Sequence, residues 1–348
     1  MEKKNHFLFD RNAFYITVSK MIQKSLIQPN CIKRSLLFLS FILLLYCFIS
    51  CIGSITVYAK KYEVSDLVFE DSQFLMVDGV ELHYRIWLPK DDINRGNVLL
   101  VHGLGGSTYS WRYTVTALIE KGYRAVSVDL PGFGLSQRKP AVNQSHENRA
   151  TLLWRFIGDL KLKGTWHLVG HSMGGGIVAA MALKKPYDAA SIILVDGSIE
   201  GRISRFLSLI SRSRLLRTIT GKLISRLIVT RRKIKSFLRS AYGREPNPED
   251  VEGYYLPLRV KNTYLTMSYL LKKYPSDEKL LDDLDTIRVP VLCLWGSEDE
   301  WVPVDRGEEL IKKIPEASLF VIDEAKHCPM ETHPELFNST LLQFLDKN

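Results

Sequence analysis

The chain has 348 residues, is 46% hydrophobic and carries a formal net charge of +9, enough apolar material for one large domain or two smaller ones. The positive excess is local: residues 201–240 hold twelve Lys and Arg and no Asp or Glu, so the remainder is slightly acidic and gives no basis for chain-wide nucleic-acid binding. The cysteines show no zinc-type spacing, and Cys293 and Cys328 alone make no disulfide framework once Cys31, Cys47 and Cys51 are assigned to the N-terminal apolar region. Neither a metal nor a cofactor is expected.

Residues 1–34 form a basic tail with no clear period. Leu36–Ala59 then runs for 24 residues without a charge. As a helix that is about 36 Å, against about 30 Å of bilayer hydrocarbon. Residues 35–59 are therefore predicted to be one transmembrane anchor. A cleaved signal peptide ending at Val57-Tyr58-Ala59 is the competing reading, but the preceding tail is long for a signal n-region. The tail carries seven Lys and Arg, including Lys33-Arg34 beside the span, against Lys60-Lys61 behind it. That bias puts the N-terminus in the cytoplasm and the globular part across the membrane.

Residues 65–348 are predicted to be one globular domain. "QFLMVDGVELHYRIWLP" reads as two strands joined at Asp78-Gly79, a hairpin turn dipeptide. Apolar strands then alternate with helical segments: "NVLLVHG", a helix over Thr108–Lys121, "RAVSVDL", a helix over Arg149–Lys161, "WHLVG", a helix over Met173–Lys184 and "ASIILVDG". After a break come "VPVLCLWG", a helix from Arg306, "ASLFVID" and a last helix over Glu331–Leu345. Such alternation indicates an α/β fold whose mostly parallel sheet is covered by helices on both faces. The break, about residues 200–284, is helical, basic and strand-poor, and reads as an inserted lid.

Gly170-His171-Ser172-Met173-Gly174 fits G-x-S-x-G, in which a strand turns sharply into a helix and lifts a serine hydroxyl out of the sheet top. Its setting between "WHLV" and the helical "GGIVAAMAL" is the context that pattern requires. Together with "HGLGGS" at 102–107, "DLPGFGLS" at 129–136, "LWGSEDEWVP" at 294–303 and "AKHCPMETHPELF" at 325–337, the chain resembles the α/β-hydrolase family. The resemblance implies a triad of Ser172 as nucleophile, Asp299 as acid and His327 as base, with the backbone N–H groups of Leu104 and Met173 as the oxyanion hole. One departure stands out: Lys326 occupies the position before the histidine, where the family usually has glycine. Asp196, in "LVDGS", also ends a strand and competes with Asp299 for the acid role. His171, His102 and His333 compete with His327; His171 is expected to point away and pack, His102 to brace the oxyanion loop and His333 to be solvated. Glu298 reads as surface, and Asp129 as part of a tight loop lining the site.

Within 201–240, apolar residues recur at three- and four-residue steps among arginines, the pattern of basic amphipathic helices. Such a lid either covers the site with its arginines solvated, or rests on an anionic membrane and passes lipid chains to Ser172. Phe206 and Phe237 are its only aromatics, which argues against base stacking and a nucleic-acid partner. The expected function is hydrolysis of carboxylic esters, with lipid-like acyl esters favoured; membrane-anchored monoacylglycerol lipases are similar in plan. Epoxide hydrolases and haloalkane dehalogenases share the resemblance but need a carboxylate at position 172. A serine-dependent carbon–carbon hydrolase or perhydrolase, and a non-catalytic receptor or scaffold, are the alternatives.

Overall fold

A computed structural model describes residues 61–90, 93–138, 143–199, 213–270 and 278–348. The basic tail and the apolar run at 36–59 lie outside these residues, as do Phe206, Leu207, Leu209 and Ile210 of the basic stretch. Among the described residues no helix is long and apolar enough to cross a membrane.

Strands β1 (Gln73–Val77) and β2 (Val80–Trp87) form an antiparallel hairpin. Its turn residues Asp78 and Gly79 have φ of 50° and 71°, the conformation that an Asp-Gly pair reaches most cheaply. The sheet continues with β3 (Asn97–Val101), β4 (Arg124–Val128), β5 (Trp166–His171), β6 (Ser191–Val195), β7 (Val291–Gly296) and β8 (Ala317–Ile322). Their order is β1-β2-β4-β3-β5-β6-β7-β8. β2 pairs with β4 antiparallel, and every pairing from β4 to β8 is parallel.

The central strands are apolar throughout because both faces are covered. Leu99, Val101, Leu168, Ile192, Leu194, Val291 and Cys293 belong to one core, while Val98, Leu100, Val169, Ile193, Val195, Leu292 and Leu294 belong to the other. This is the period-two alternation of a pleated sheet. Helices α2 (His146–Leu160), α3 (Met173–Lys184) and α9 (Asp305–Lys313) pack on the first face. Helices α1 (Val115–Glu120) and α11 (Pro334–Leu345) pack on the second.

Two predicted helices are shorter than the sequence suggested. Thr108–Trp111 is a 3-10 turn capped by Ser107, and α1 begins only at Val115. Aromatic and β-branched residues crowd that stretch and favour a tight turn over continuous helix. The last helix is cut in two, α10 (Pro329–Thr332) and α11, at His333. Pro334 disfavours helical geometry in the residue before it, and His333 has φ −131° and ψ 52°.

Between β6 and β7 lie α4 (Arg214–Leu227), α5 (Arg231–Tyr242), α6 (Pro248–Leu258), α7 (Thr263–Leu270) and α8 (Glu278–Asp282). Thr230 caps α5 by accepting from the Lys233 N–H, and Gly243 closes its C-terminus in the left-handed conformation. Ile234, Leu238, Ala241 and Tyr242 of α5 and Val251, Tyr255 and Leu258 of α6 join the second core. These residues of α5 and α6 are thus packed on the hydrolase body, whereas Leu215, Leu216 and Ile219 of α4 stay exposed.

Candidate active site

Ser172 lies between β5 and α3 with φ 51° and ψ −120°, a left-handed φ that a non-glycine residue adopts only under strain of about 1–3 kcal/mol. Two glycines make the turn possible by leaving space. A Cβ on Gly170 would lie 2.2 Å from the Gly174 carbonyl oxygen, and one on Gly174 would lie 2.3 Å from that of Val101. Gly175 and Gly176 are similarly confined, by the Gly197 Cα at 2.7 Å and the His146 Nε2 at 2.7 Å. A helix start built of glycines is weak helix material; the sheet top leaves no room for anything larger. The Ser172 carbonyl accepts from Gly175 N–H and Ser198 N–H at 2.8 and 2.9 Å, which fixes the turn.

His327, in the loop after β8, is 3% exposed. Its Nε2 is 3.0 Å from Ser172 Oγ, and its Nδ1 is 2.7 Å from Asp299 Oδ2. Asp299, after β7, also accepts from the N–H groups of Trp301 and Val302 at 2.7 and 3.0 Å through Oδ1. Burial pushes the Asp299 carboxyl up, but the hydrogen bond and charge of His327 and the Val302 N–H outweigh it and hold the group below the usual carboxylate range. The structure therefore brings the hydroxyl, imidazole and carboxylate together across loops remote in sequence. Carboxylate, Nδ1–H and Nε2 facing a hydroxyl is the arrangement that lets an imidazole take that hydroxyl's proton.

Met173 opens α3, where an N–H has no intrahelical acceptor and sees the positive end of the helix. Leu104 follows Gly103, whose missing Cβ would come within 3.0 Å of Ser172 Cβ. The loop carrying Leu104 is thus pressed against Ser172. His102 secures that loop: its Nδ1 donates to the Gly103 carbonyl at 2.7 Å, and its Nε2 accepts from Leu130 N–H at 3.0 Å. Burial lowers its pKa, consistent with a neutral ring in that tautomer.

The competing residues have other partners. His171 does not point away: it sits 4.9 Å from the His327 ring and donates from Nε2 to the His327 carbonyl at 2.7 Å. Its ring braces the loop from below, and burial pulls its pKa down to about 3. His333 hydrogen-bonds Thr332 at 2.9 Å, and Glu298 is exposed. Asp129 is held by the N–H groups of Thr108 and Leu135 and by His83 Nδ1. Asp196 lies beside Asp299: one atom each of Asp196, Asp299 and His327 falls within 4.8 Å of the others. Lys326 runs its methylenes 3.2–3.3 Å from where a Cβ on Gly243 would stand, over the end of α5, and pairs with Glu300 at 2.7 Å.

Above Ser172 is a cavity of about 540 Å³. Ile224, Ile228, Phe237, Leu238, Leu258 and Met267 of the helical insert supply much of its apolar wall. Among the described lining residues there is no Lys, Arg, Asp or Glu. Sequence reasoning missed a buried network that fastens the insert beside this cavity. Glu331 accepts from Tyr254, from Arg112 and from Tyr242, the last at 2.6 Å, and Arg112 also reaches Asp250 at 2.7 Å. Tyr242 stands on α5, and Asp250 and Tyr254 stand on α6. It also missed Trp301, whose indole lies 5.0 Å from the His327 ring. Only the "WVP" following Asp299 hinted at it.

A family model described as alpha/beta hydrolase fold matches residues 96–334. The chain is 27% identical over 270 residues to an uncharacterised hydrolase, YugF, of Bacillus subtilis, covering 77% of this chain and 96% of that protein. It is 29% identical over 284 residues to a 2-hydroxy-6-oxononadienedioate/2-hydroxy-6-oxononatrienedioate hydrolase of Burkholderia vietnamiensis, covering 77% and 92%. A thermophilic esterase from Thermogutta terrifontis superimposes with a TM-score of 0.63 at 23% identity, over 79% of this chain and 98% of that one, a likeness of fold alone.

Proposed function

The chain belongs to the α/β-hydrolase fold family, and from that premise we propose that it is a serine hydrolase of carboxylic esters with apolar acyl chains. The observation that carries this is the Ser172–His327–Asp299 chain of hydrogen bonds at 3.0 and 2.7 Å, beside a cavity whose described lining is largely apolar and holds no Lys, Arg, Asp or Glu. Ser172 Oγ attacks the ester carbonyl carbon as its proton passes to His327 Nε2. Asp299 holds the Nδ1–H tautomer and stabilises the imidazolium. The carbonyl oxygen becomes an oxyanion facing the N–H groups of Leu104 and Met173. The C–O bond to the alcohol breaks, and the alcohol leaves with the proton from His327. Water, deprotonated by His327, then releases the acid and restores the Ser172 hydroxyl.

The second reading, carbon–carbon bond hydrolysis, is favoured by the likeness to the Burkholderia enzyme, whose named substrates are dicarboxylates. Against it stands the described lining, which offers a buried dianion no Lys or Arg. The test is a comparison of kcat/KM on a series of acyl esters with that on a 2-hydroxy-6-oxodienedioate. Ester turnover rising with chain length supports the proposal; turnover of the dienedioate alone overturns it.

We further propose that the enzyme is a membrane protein, anchored by the uncharged run at 36–59 with its N-terminus cytoplasmic and its hydrolase domain on the other side. The flanking charges support this orientation. Leu215, Leu216 and Ile219 of α4 are 69%, 50% and 50% exposed, and their helix leads through Ile224 into the cavity wall. That continuity supports contact of the insert with lipid. Its charge is partly neutralised from within, since Arg231 pairs with Glu252, and Lys235 and Arg239 pair with Glu245. The contact is therefore assigned to the leucines first. Changing Leu215, Leu216 and Ile219 to Ser should lower activity on anionic vesicles while sparing a soluble short-chain ester; equal loss on both contradicts it. Orientation is read at Asn143, an exposed sequon. Asn338 is a poor reporter because its amide is engaged by the Tyr113 carbonyl at 2.8 Å.

A further inference from the structure

We propose that Asp196 is a neutral carboxylic acid at physiological pH and donates its proton as a hydrogen bond to Asp299, so that one negative charge serves two carboxyl groups. β6 and β7 are neighbouring parallel strands, with Val195 opposite Leu294, so the residues that follow them emerge side by side. Asp196 is 0% exposed, has a left-handed φ of 43°, and its side chain reaches the end of β7. Its Oδ1 accepts from Gly296 N–H at 3.0 Å. Its Oδ2 is buried, and no donor among the described residues reaches it.

A carboxylate oxygen buried without a donor is costly, and a second carboxylate beside it more so. Asp299 already has its charge matched by His327, Trp301 N–H and Val302 N–H. Those donors belong to Asp299, and none is left for Asp196. Protonating Asp196 removes both penalties at once: its O–H becomes a donor, and Asp299 is the acceptor at hand. Burial first, then the Asp299 charge, drive the Asp196 carboxyl well above the usual range. The other titratable groups facing this corner are His327 and Cys328 of the β8 loop. The Cys328 thiol is itself pushed up by burial and by the surrounding carboxyl groups.

Asp196 would then be a positioning residue. Its O–H draws charge from Asp299, so the imidazolium of His327 is stabilised less at rest and the neutral base persists to lower pH. This kinetic consequence rests on the triad reading; the protonation state does not.

Asp196→Asn discriminates, because an asparagine keeps the acceptor for Gly296 and offers an N–H to Asp299 but never ionises. The expected result is kcat/KM on a soluble ester within about threefold of wild type and an acid limb of the pH profile unmoved. An ionised Asp196 predicts instead that the Asn variant shifts that limb to lower pH by about one unit, and this outcome overturns the proposal. Asp196→Leu, which removes the donor, should shift the limb to higher pH. A second measurement needs neither variant nor activity: 13Cγ NMR of aspartate-labelled wild type should show one aspartate resonance still protonated at pH 7. If all aspartates are ionised there, the proposal fails. If that resonance is present but no ester is hydrolysed, the proposal stands and the functional reading fails.

Discussion

The Trp301 indole lies 5.0 Å from the His327 imidazole at an interplanar angle of 35°, while its backbone N–H donates to Asp299 and its Nε1 donates to Ser240 of α5 at 3.0 Å. One residue thus touches the base, the acid and the helical insert. When His327 takes the serine proton, the ring beside it faces a cation, and an aromatic face stabilises such a cation by about 0.5–2 kcal/mol. Trp301→Leu is expected to lower kcat/KM on a soluble ester by about tenfold, since 1.36 kcal/mol is one decade in rate. Trp301→Phe should recover most of that loss. Equal loss in both variants would assign the effect to the Ser240 bond instead.

The glycines of the elbow carry a stability prediction with an internal control. Gly170→Ala and Gly174→Ala force a Cβ within 2.2 and 2.3 Å of carbonyl oxygens, and each should cost about 3 kcal/mol in urea unfolding. Gly158, inside α2, has nothing within 4 Å of its Cβ position. Gly158→Ala should stabilise by about 0.5–1 kcal/mol.

Acid should weaken the fold through buried histidines. Burial pulls His171 down to about 3 and His167 to about 4, from an unfolded value near 6.5. Below pH 6.5 the unfolded chain binds protons that the folded chain refuses, so stability falls as pH falls. Each histidine contributes about 1.4 kcal/mol per pH unit once the window is fully open. The depressed Asp299 acts only further down, stabilising above its unfolded value and losing that contribution as pH falls through the folded one. The raised carboxyls of Asp196 and Glu331 act with the opposite sign in the same range, because they bind protons in the folded chain first. The histidine part is therefore read by difference: in urea unfolding at pH 7, 6 and 5, His167→Gln should lose less stability on acidification than wild type, and an unchanged slope would contradict the burial of that ring.

Glu331 fastens the insert. It is 1% exposed, burial raises its pKa against the pull of Arg112, and it bonds Tyr242 and Tyr254 of α5 and α6. Removing one partner of a buried pair leaves the other uncompensated, at about 3–5 kcal/mol. Glu331→Ala should lower stability on that scale and open residues 231–258 to trypsin, read by limited proteolysis. An unchanged cleavage pattern would show that the apolar contacts of α5 and α6 hold the insert alone.

The elbow was legible in sequence because its strand, G-x-S-x-G and helix are contiguous, although the carbonyl that bars a side chain at Gly174 is that of Val101 in the neighbouring β3. The mostly parallel sheet was legible because strands such as "ASIILVDG" are apolar on both faces. The 3-10 turn at Thr108 was not, since a short aromatic run fits a helix period as well as a turn. The Asp196–Asp299 contact was hidden for a different reason. Those residues are remote in sequence, and only the strand order, with β6 beside β7, makes them neighbours. The same holds for Tyr254 and Glu331, which meet only because the insert folds back over α10. The direction of His171 was not legible either, because its partner, the His327 carbonyl, lies 156 residues away and is met only in the folded chain.

The central claim is that Ser172 is a nucleophile made reactive by His327. A fluorophosphonate probe, followed by peptide mass spectrometry, tests it most directly. The expected result is a single adduct on Ser172 in the wild type, absent in Ser172→Ala and at least about 100-fold slower in His327→Ala. A well-folded wild type that takes up no probe, or takes it up equally after either substitution, would contradict the account.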